Sequence, residues 1–445
     1  MYNKRKMKLL LIQPSMYHQV GKLLKFKKAF IPSITMPTLA ALTSHEVEVE
    51  IIDEHVDEID LDRKADLVAI TCHTFSASRA YEIADEFRKR GTKVILGGIH
   101  PTVLPDEAKE HADSVMIGEV EDIWETVIKD LRAKELKPFY RPGYPSLSRL
   151  VIPRIDLINL AKYQKMPFSR LPTIPLETSR GCPFSCDFCL VTGFYGRHQR
   201  MKPVKNVVKE IQAIGAKYYF FCDVNIGANQ ERARELFAAL APLKIKWAGQ
   251  FNVFAAKHPA MLKLARQSGC YAAYLGIESI NEASLRSVNK KINRIEDYAE
   301  QLKVFHDCGL PIHGSFVFGL DEDDEATIDQ TVEFVDRNHI DKVTYYFLFP
   351  IPGTAQYDRI KAEGRMVHDR YWLDKTRPLL DVHYQPKKIS REKLLEKFWE
   401  ANDKTFSWRS IVKRLFLPPQ PQALTSFVSN IYYRKMNRKR ELTFS

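Results

Sequence analysis

Apolar runs of β type alternate with helical patterns along the first part of the chain. KLLLIQ (8–13), VEVEIID (47–53), DLVAITC (66–72), KVILGG (93–98) and ADSVMIGE (112–119) are short and rich in Val, Ile and Leu. Stretches such as ASRAYEIADEFRKRG (77–91) repeat apolar residues at helical spacing between them. This alternation predicts a parallel sheet wound with helices over about 130 residues. A second series follows the proline-rich passage 138–175: IPLETS, KYYFFCDVN, IKWAGQFN, YAAYLGIES, PIHGSFVFG and KVTYYFLFP. Helical stretches such as QERARELFAAL and IEDYAEQLKVFHDCG separate these six runs, so the expectation is a (β/α)6 partial TIM barrel whose chemistry lies at the carboxyl ends of its strands. The division expected is residues 1–137 for a Rossmann-like α/β domain, 138–170 for a linker, 171–368 for the partial barrel and 369–445 for a helical, aromatic and basic region.

In an open parallel sheet the ligand crevice lies at the carboxyl strand ends. Four loops there are candidates: Gln13-Pro14-Ser15, Thr71 to Ser76, Gly97 to Thr102, and Gly118-Glu119-Val120-Glu121.

Composition changes this picture little. With 445 residues, 45% hydrophobic and 27% charged, the chain can bury sizeable cores, which excludes wholesale disorder. No run approaches the roughly 18 apolar residues of a membrane helix. The opening MYNKRKMKLLLIQPS reads as a first strand rather than a signal peptide. Seven cysteines, three of them between 182 and 189, are not a disulfide framework, so the expected compartment is the reducing cytoplasm. The net charge of +12 admits nucleic acid, anionic lipid or small anions as partners, but much of it collects near the carboxyl end.

The chemistry concentrates in Cys182-Pro-Phe-Ser-Cys186-Asp-Phe-Cys189, directly after the run IPLETS. Three thiolates in a C-x3-C-x2-C spacing can hold three irons of a [4Fe-4S] cubane and leave the fourth iron open to a ligand. The same cysteines with His198 as fourth ligand would suit a structural zinc ion. Cys72, Cys222, Cys270 and Cys308 are scattered and read as small core residues.

TSRGCPFSCDFC, with Phe188 before the last cysteine, resembles the radical S-adenosylmethionine superfamily, which decides between cluster and zinc in favour of the cluster. The alternating first region resembles the cobalamin-binding domain of one large branch of that superfamily, including its hopanoid and bacteriochlorophyll-precursor methylases. The resemblance implies that Cys182, Cys186 and Cys189 bind the cluster. It implies S-adenosylmethionine contacts from Phe188, Asp223, Asn225, Glu278, Ser279, Gly314, Phe316 and Pro352. Cobalamin contacts are implied for Gln13, Thr74, Ser76, Gly97, Gly98, His100, Thr102, Gly118, Glu119 and Glu121.

Two departures stand out. Val224 replaces the second aspartate of the branch's F-x-D-D-N pattern, and no D-x-H-x2-G segment supplies a histidine for cobalt, although His73 and His100 lie nearby.

The implied reaction is cleavage of S-adenosylmethionine to a 5′-deoxyadenosyl radical, followed by cobalamin-dependent methylation of an unactivated carbon on a hydrophobic lipid, isoprenoid or tetrapyrrole-like substrate. Cyclisation or rearrangement runs on the same architecture, and some members of the superfamily act on RNA. With no RNA-binding module in the chain, no nucleic-acid partner is expected. An external flavodoxin- or ferredoxin-type electron donor is implied. The aromatic and basic tail predicts either contact with an anionic membrane surface or a helical cap that packs Trp399 and Phe406 onto the barrel.

Overall fold

The computed structural model describes residues 6–166, 169–290, 292–378 and 381–440. The first sheet contains Met7–Gln13 (β1), Val47–Asp53 (β2), Leu67–Thr71 (β3), Lys93–Gly97 (β4), Ser114–Met116 (β5) and Phe139–Tyr140 (β6). Its order is β2-β1-β3-β4-β5-β6, with every pair parallel. Such a sheet is covered on both faces, which is why Leu9 to Ile12 and Leu67 to Ile70 are continuous apolar runs without alternation. One core forms beneath the helix Ala77–Lys89 and another beneath Trp124–Ala133. The strand order reverses between β1 and β3, so a crevice opens at their carboxyl ends, beside Gln13 and the Thr71 to Ser76 loop. The sheet extends two residues into the passage expected to be linker, because Phe139 and Tyr140 pair with Val115 and Met116.

The second sheet contains Ile174–Leu176 (β7), Tyr218–Phe221 (β8), Lys246–Phe251 (β9), Cys270–Glu278 (β10), Ile312–Phe318 (β11) and Lys342–Phe347 (β12). These strands pair in chain order and all in parallel. Among the described residues β7 and β12 do not pair with each other, so the barrel is partial, as the six runs predicted. Side chains alternate across its wall. Phe221, Trp247, Ile277, Phe316 and Tyr345 pack outward into one core with the helices. Tyr274, His313, Ser315 and Tyr346 fall on the other face.

Three helices follow, Arg391–Thr405, Trp408–Phe416 and Ala423–Arg438. Trp399 packs against the barrel core, as the cap reading expects, while Phe406 is buried against Tyr433 of the last helix. No helix among the described residues is long and apolar enough to cross a membrane.

Before those helices, the chain from Met366 to Lys375 straps the barrel to the first domain. Tyr371 and Trp372 enter the first domain's core. Trp372 Nε1 donates to Glu107 (3.0 Å), Arg370 pairs with the same carboxylate (2.8 Å), and His100 Nε2 donates to it (3.0 Å). Gly353, after β12, presses on the first domain so closely that a Cβ there would lie 2.5 Å from Val103 Cγ1.

Two predictions follow from this seam. Gly353 (φ +85°) and Gly364 (φ +68°) share a left-handed backbone, but a Cβ on Gly364 meets nothing within 4 Å. Gly364→Ala therefore loses only the backbone term, roughly 1 kcal/mol. Gly353→Ala loses more, and the difference between their urea midpoints measures the domain contact. Burial alone would raise the Glu107 pKa, but hydrogen bonds from His100 and Trp372 hold it down at about 2. A depressed carboxyl contributes stability above its unfolded value of 4.5 and loses it as the pH falls toward 2. Glu107→Gln should flatten the acid limb of a denaturation-versus-pH curve over that window.

Candidate active site

The cysteine loop leaves β7 through Glu177 to Arg180 and turns at Gly181. This residue has φ +90°, and a Cβ there would strike the carbonyl of His198. Cys182, Cys186 and Cys189 follow, all unpaired and partly buried. The loop is tied to the segment after β10: Asp187 N donates to Val288 O (3.0 Å), and Asn289 Nδ2 donates to Ser185 O (2.8 Å). Burial pushes the three thiols up, Cys186 to about 11, and the Lys290 ammonium opposes that shift.

Among the described residues no three His, Cys, Asp or Glu side chains are arranged around a single ion. His198 is exposed, away from the role of fourth zinc ligand. A cubane places each thiolate on its own iron and needs no such convergence. Phe188 packs against the barrel core beside the last cysteine.

Glu278 ends β10 at a bulge, with φ +67°. A non-glycine residue in that region stores strain, and such strain clusters at functional sites. A Cβ on Gly276 would collide with Glu278 Oε1, so the glycine lets the carboxylate fold back. Lys290 Nζ pairs with it at 2.8 Å. Burial works against the ammonium, but the Glu278 carboxylate and the nearby cysteines keep it protonated. Lys290 thus sets a positive charge between the cysteine loop and Glu278. It was missed in the sequence because a Lys-Lys pair after a short helix has no distinctive spacing.

The other expected S-adenosylmethionine residues divide. Asn225 is buried, and both its Oδ1 and Nδ2 lack a protein partner, an unmet demand that a polar ligand would satisfy. Ser279 is buried and accepts from Asn281 N (3.0 Å). Asp223 accepts from Thr178 N (2.9 Å), Thr178 Oγ1 (2.7 Å) and Ser179 Oγ, fastening the end of β8 to the segment before the cysteines. The Phe316 ring lies on the outer face against Phe334 and Tyr345, and alternation leaves Ser315 and Val317 facing inward. A Cβ on Gly314 would meet Ile277, Ile340 and Phe316, so that glycine also serves packing. Pro352 is buried in the turn leading to Thr354, whose side chain caps the helix Ala355–Ala362.

In the first domain the four loops gather at the carboxyl end of the sheet, and the last three bond to one another, while Ser15 bonds to Glu54 and Leu24. Thr102 Oγ1 donates to Gly98 O (2.7 Å) and accepts from Gly118 N (2.9 Å). Ser76 Oγ accepts from His73 N (3.2 Å). Gly98 has φ +100°, and a Cβ there would lie 2.7 Å from Cys72 O, so this glycine lets two loops touch; Gly97 packs on Met116. His100 has the partners of its ring nitrogens within the first domain. It is fully buried, with Thr74 Oγ1 on Nδ1 (3.3 Å) and Glu107 on Nε2. Gly118 has open space where a Cβ would stand, and the strand reversal beside Gln13 is the position at which an open parallel sheet takes a ligand.

Glu119 is paired with Arg180 and Arg200, Glu121 pairs with Arg180 (2.5 Å), and Arg180 Nε donates to Glu177 (2.7 Å). Burial opposes the Arg180 guanidinium, while Glu177, Glu121 and Glu119 hold it charged. The ion cluster joins the last loop of the first domain to Arg180, immediately before Gly181, and to Arg200. At the opposite rim, Phe75 meets Phe349 edge to face at 5.0 Å.

Carboxyl-end loops of a doubly wound sheet, clamped onto a three-cysteine loop that opens a partial barrel, define a radical enzyme with an attached cofactor domain. Comparison with known proteins makes this specific. A family profile for the radical SAM superfamily matches residues 176–335, and one for the B12-binding domain matches 31–128. Two Chlorobaculum tepidum proteins are similar over nearly the whole chain. Bacteriochlorophyllide d C-8(2)-methyltransferase is 32% identical over 90% of this chain and 91% of its own, and the C-12(1)-methyltransferase is 30% identical over 97% and 95%. The cobalamin-dependent S-adenosylmethionine radical enzyme OxsB shares the fold, with a TM-score of 0.70 at 15% identity over 98% of this chain and 72% of that one. The methyltransferase TsrM from Kitasatospora setae does so at 0.61 and 16%, over 80% and 75%. The chain belongs to the radical SAM enzymes that carry an amino-terminal B12-binding domain, and its cofactors are a [4Fe-4S] cluster, S-adenosylmethionine and cobalamin.

Arg180→Met leaves Glu121 and Glu177 without their shared cation. Breaking a buried pair on one side costs about 3–5 kcal/mol. The lowered urea midpoint should be accompanied by faster proteolysis in residues 138–170, whereas Glu121→Gln alone should cost much less.

Proposed function

We propose that this enzyme transfers a methyl group from cobalamin to an unactivated carbon of a hydrophobic tetrapyrrole-like substrate. The observation that carries the reading is the Arg180 cluster, which sets the loops of the B12-binding domain directly against the cysteine loop. The near full-length similarity to two bacteriochlorophyllide methyltransferases supports the substrate class.

When bound, the cluster supplies the electron that cleaves S-adenosylmethionine, and cobalamin supplies the methyl group. In this reading Cys182, Cys186 and Cys189 hold the cluster. The unpaired amide of Asn225, the Glu278 carboxylate and the Lys290 ammonium orient the polar parts of S-adenosylmethionine. Gln13, Thr74, Ser76, Gly97, Gly98, Thr102 and Gly118 shape the cobalamin crevice, mostly through backbone. Phe75 and Phe349 offer an apolar wall to a flat substrate and exclude water from the seam. An external flavodoxin- or ferredoxin-type protein provides electrons, and the enzyme works at the cytoplasmic side of a membrane.

The test is anaerobic reconstitution with iron, sulfide, hydroxocobalamin, a reductant, S-adenosylmethionine and a bacteriochlorophyllide. Wild type should retain cobalamin, release 5′-deoxyadenosine and add one methyl group to the pigment. Cys186→Ala should lose cluster absorbance and both products. Lys290→Gln should keep the cluster but release deoxyadenosine about tenfold to a hundredfold more slowly, the range for one lost charge-assisted contact. Deoxyadenosine without a methylated pigment would move the substrate outside the tetrapyrroles, and no deoxyadenosine from wild type would overturn the radical reading.

A further inference from the structure

The last helix of the chain has the polarity of a soluble helix reversed. In Ala423–Arg438 the buried positions include Asn430 and Asn437. Asn430 Nδ2 donates to Asp341 O (2.8 Å), and Asn437 Nδ2 donates to Asp403 (3.0 Å). Beneath them Arg414, fully buried, donates to Ile340 O (2.6 Å), Thr405 O (2.9 Å) and Asn430 Oδ1 (3.1 Å). These polar bonds hold the helix to the barrel.

The apolar residues face away from the barrel. Leu424, Val428 and Ile431 repeat at helical spacing on one face and are 75%, 67% and 40% exposed. In the neighbouring helix Trp408–Phe416, Trp408 and Val412 are exposed at the same i, i+4 spacing, followed by Leu417. Phe427 lies 6.0 Å from Trp408 and 5.7 Å from Phe416, making the two rows one surface. Six of the eleven large exposed apolar side chains among the described residues are here. A patch this concentrated marks an interaction site.

Charge selects the partner. Residues 406–440 contain eight Lys and Arg and no Asp or Glu. Arg409 and Lys413 flank the Trp408 row, and Lys435 and Arg438 continue the Leu424 row, all four exposed. Two copies of this face docked on a two-fold axis would set like charges together. An apolar row that ends in cations beside an exposed tryptophan matches the interface of a bilayer with anionic headgroups.

We propose that the outer face of these two helices binds the surface of an anionic membrane. This assigns a surface to the membrane position proposed above and rests on that part of the reading, not on the methylation chemistry. The helices bond to Ile340, Asp341 and Tyr271, at the amino ends of β12 and β10, whereas the cysteine loop lies at the carboxyl end of β7. The face is thus a tether. It leaves the active site turned away from the bilayer and open to a soluble electron donor.

Sedimentation of the reconstituted enzyme with phosphatidylglycerol-containing vesicles and with pure phosphatidylcholine vesicles tests this. Wild type should bind the anionic vesicles and little of the neutral ones, and rising salt should weaken the binding. The double variant Leu424→Glu/Val428→Glu should bind at least about tenfold more weakly, and Lys413→Gln/Lys435→Gln should also bind more weakly. Both should form 5′-deoxyadenosine at the wild-type rate, which shows the fold intact. Failure of wild type to bind anionic vesicles would overturn the membrane position and the face together, leaving the methylation reading untouched. Binding that survives both double variants would keep the position and overturn the face. A wild-type dimer that Leu424→Glu/Val428→Glu disperses would assign the face to a second copy and overturn the lipid partner.

Discussion

Arg180 carries one guanidinium, and three carboxylates from two domains share it. Glu177 comes from the strand that leads into the cysteine loop, while Glu119 and Glu121 come from the last carboxyl-end loop of the B12-binding domain. Arg200 supports Glu119 from the far side of the same loop. Carboxylates this buried are tolerable only with a cation, so neither domain can relinquish the other without exposing or stranding charge. The planar, multiply donating guanidinium suits that sharing in a way an ammonium would not.

The two cofactor regions are arranged around that contact. On one side lie the strand reversal between β1 and β3 and the open Cβ position at Gly118. On the other, Gly181 turns the chain from Arg180 directly into Cys182, so the cluster loop inherits its position from the ion cluster. Lys290 and Glu278 close the barrel side, where a strained backbone and a glycine two residues earlier hold a carboxylate over the loop. The strap from Met366 to Lys375, through Trp372 and Glu107, locks the rear of the seam. A radical generated in such a joint is shielded on several sides, as a reactive primary radical requires.

The distribution of polarity in the last two helices follows a different logic from the rest of the chain. Elsewhere apolar residues meet across the sheets and helices, as in the stack of Phe221, Trp247 and Phe237. In Ala423–Arg438 buried asparagines do the anchoring, and the leucine, valine and isoleucine remain outside. Hydrogen bonds to the free carbonyls that precede β12 can hold a helix there without consuming its apolar face.

Much of this was legible in the chain itself. Period-2 and continuous apolar runs announced eleven of the twelve strands of the two sheets, because burial of a parallel sheet is written in consecutive side chains. The cysteine spacing marked the candidate cluster loop, since ligands so close in sequence need no distant partner to bring them together. Only the tertiary structure could decide which of the loop residues face each other. His100, Glu119 and Glu121 look like cofactor contacts in a motif, yet their partners Glu107, Arg180 and Arg200 come from other segments, mostly far along the chain. Phe316 reads like its inward neighbours until alternation along β11 turns it to the helices. Lys290 gains its meaning only when Glu278 folds back across a bulge to meet it. A local pattern specifies strands, helices and clustered ligands because their atoms are neighbours in the chain. Charge pairing and facing depend on approach between distant segments, and that is set by packing.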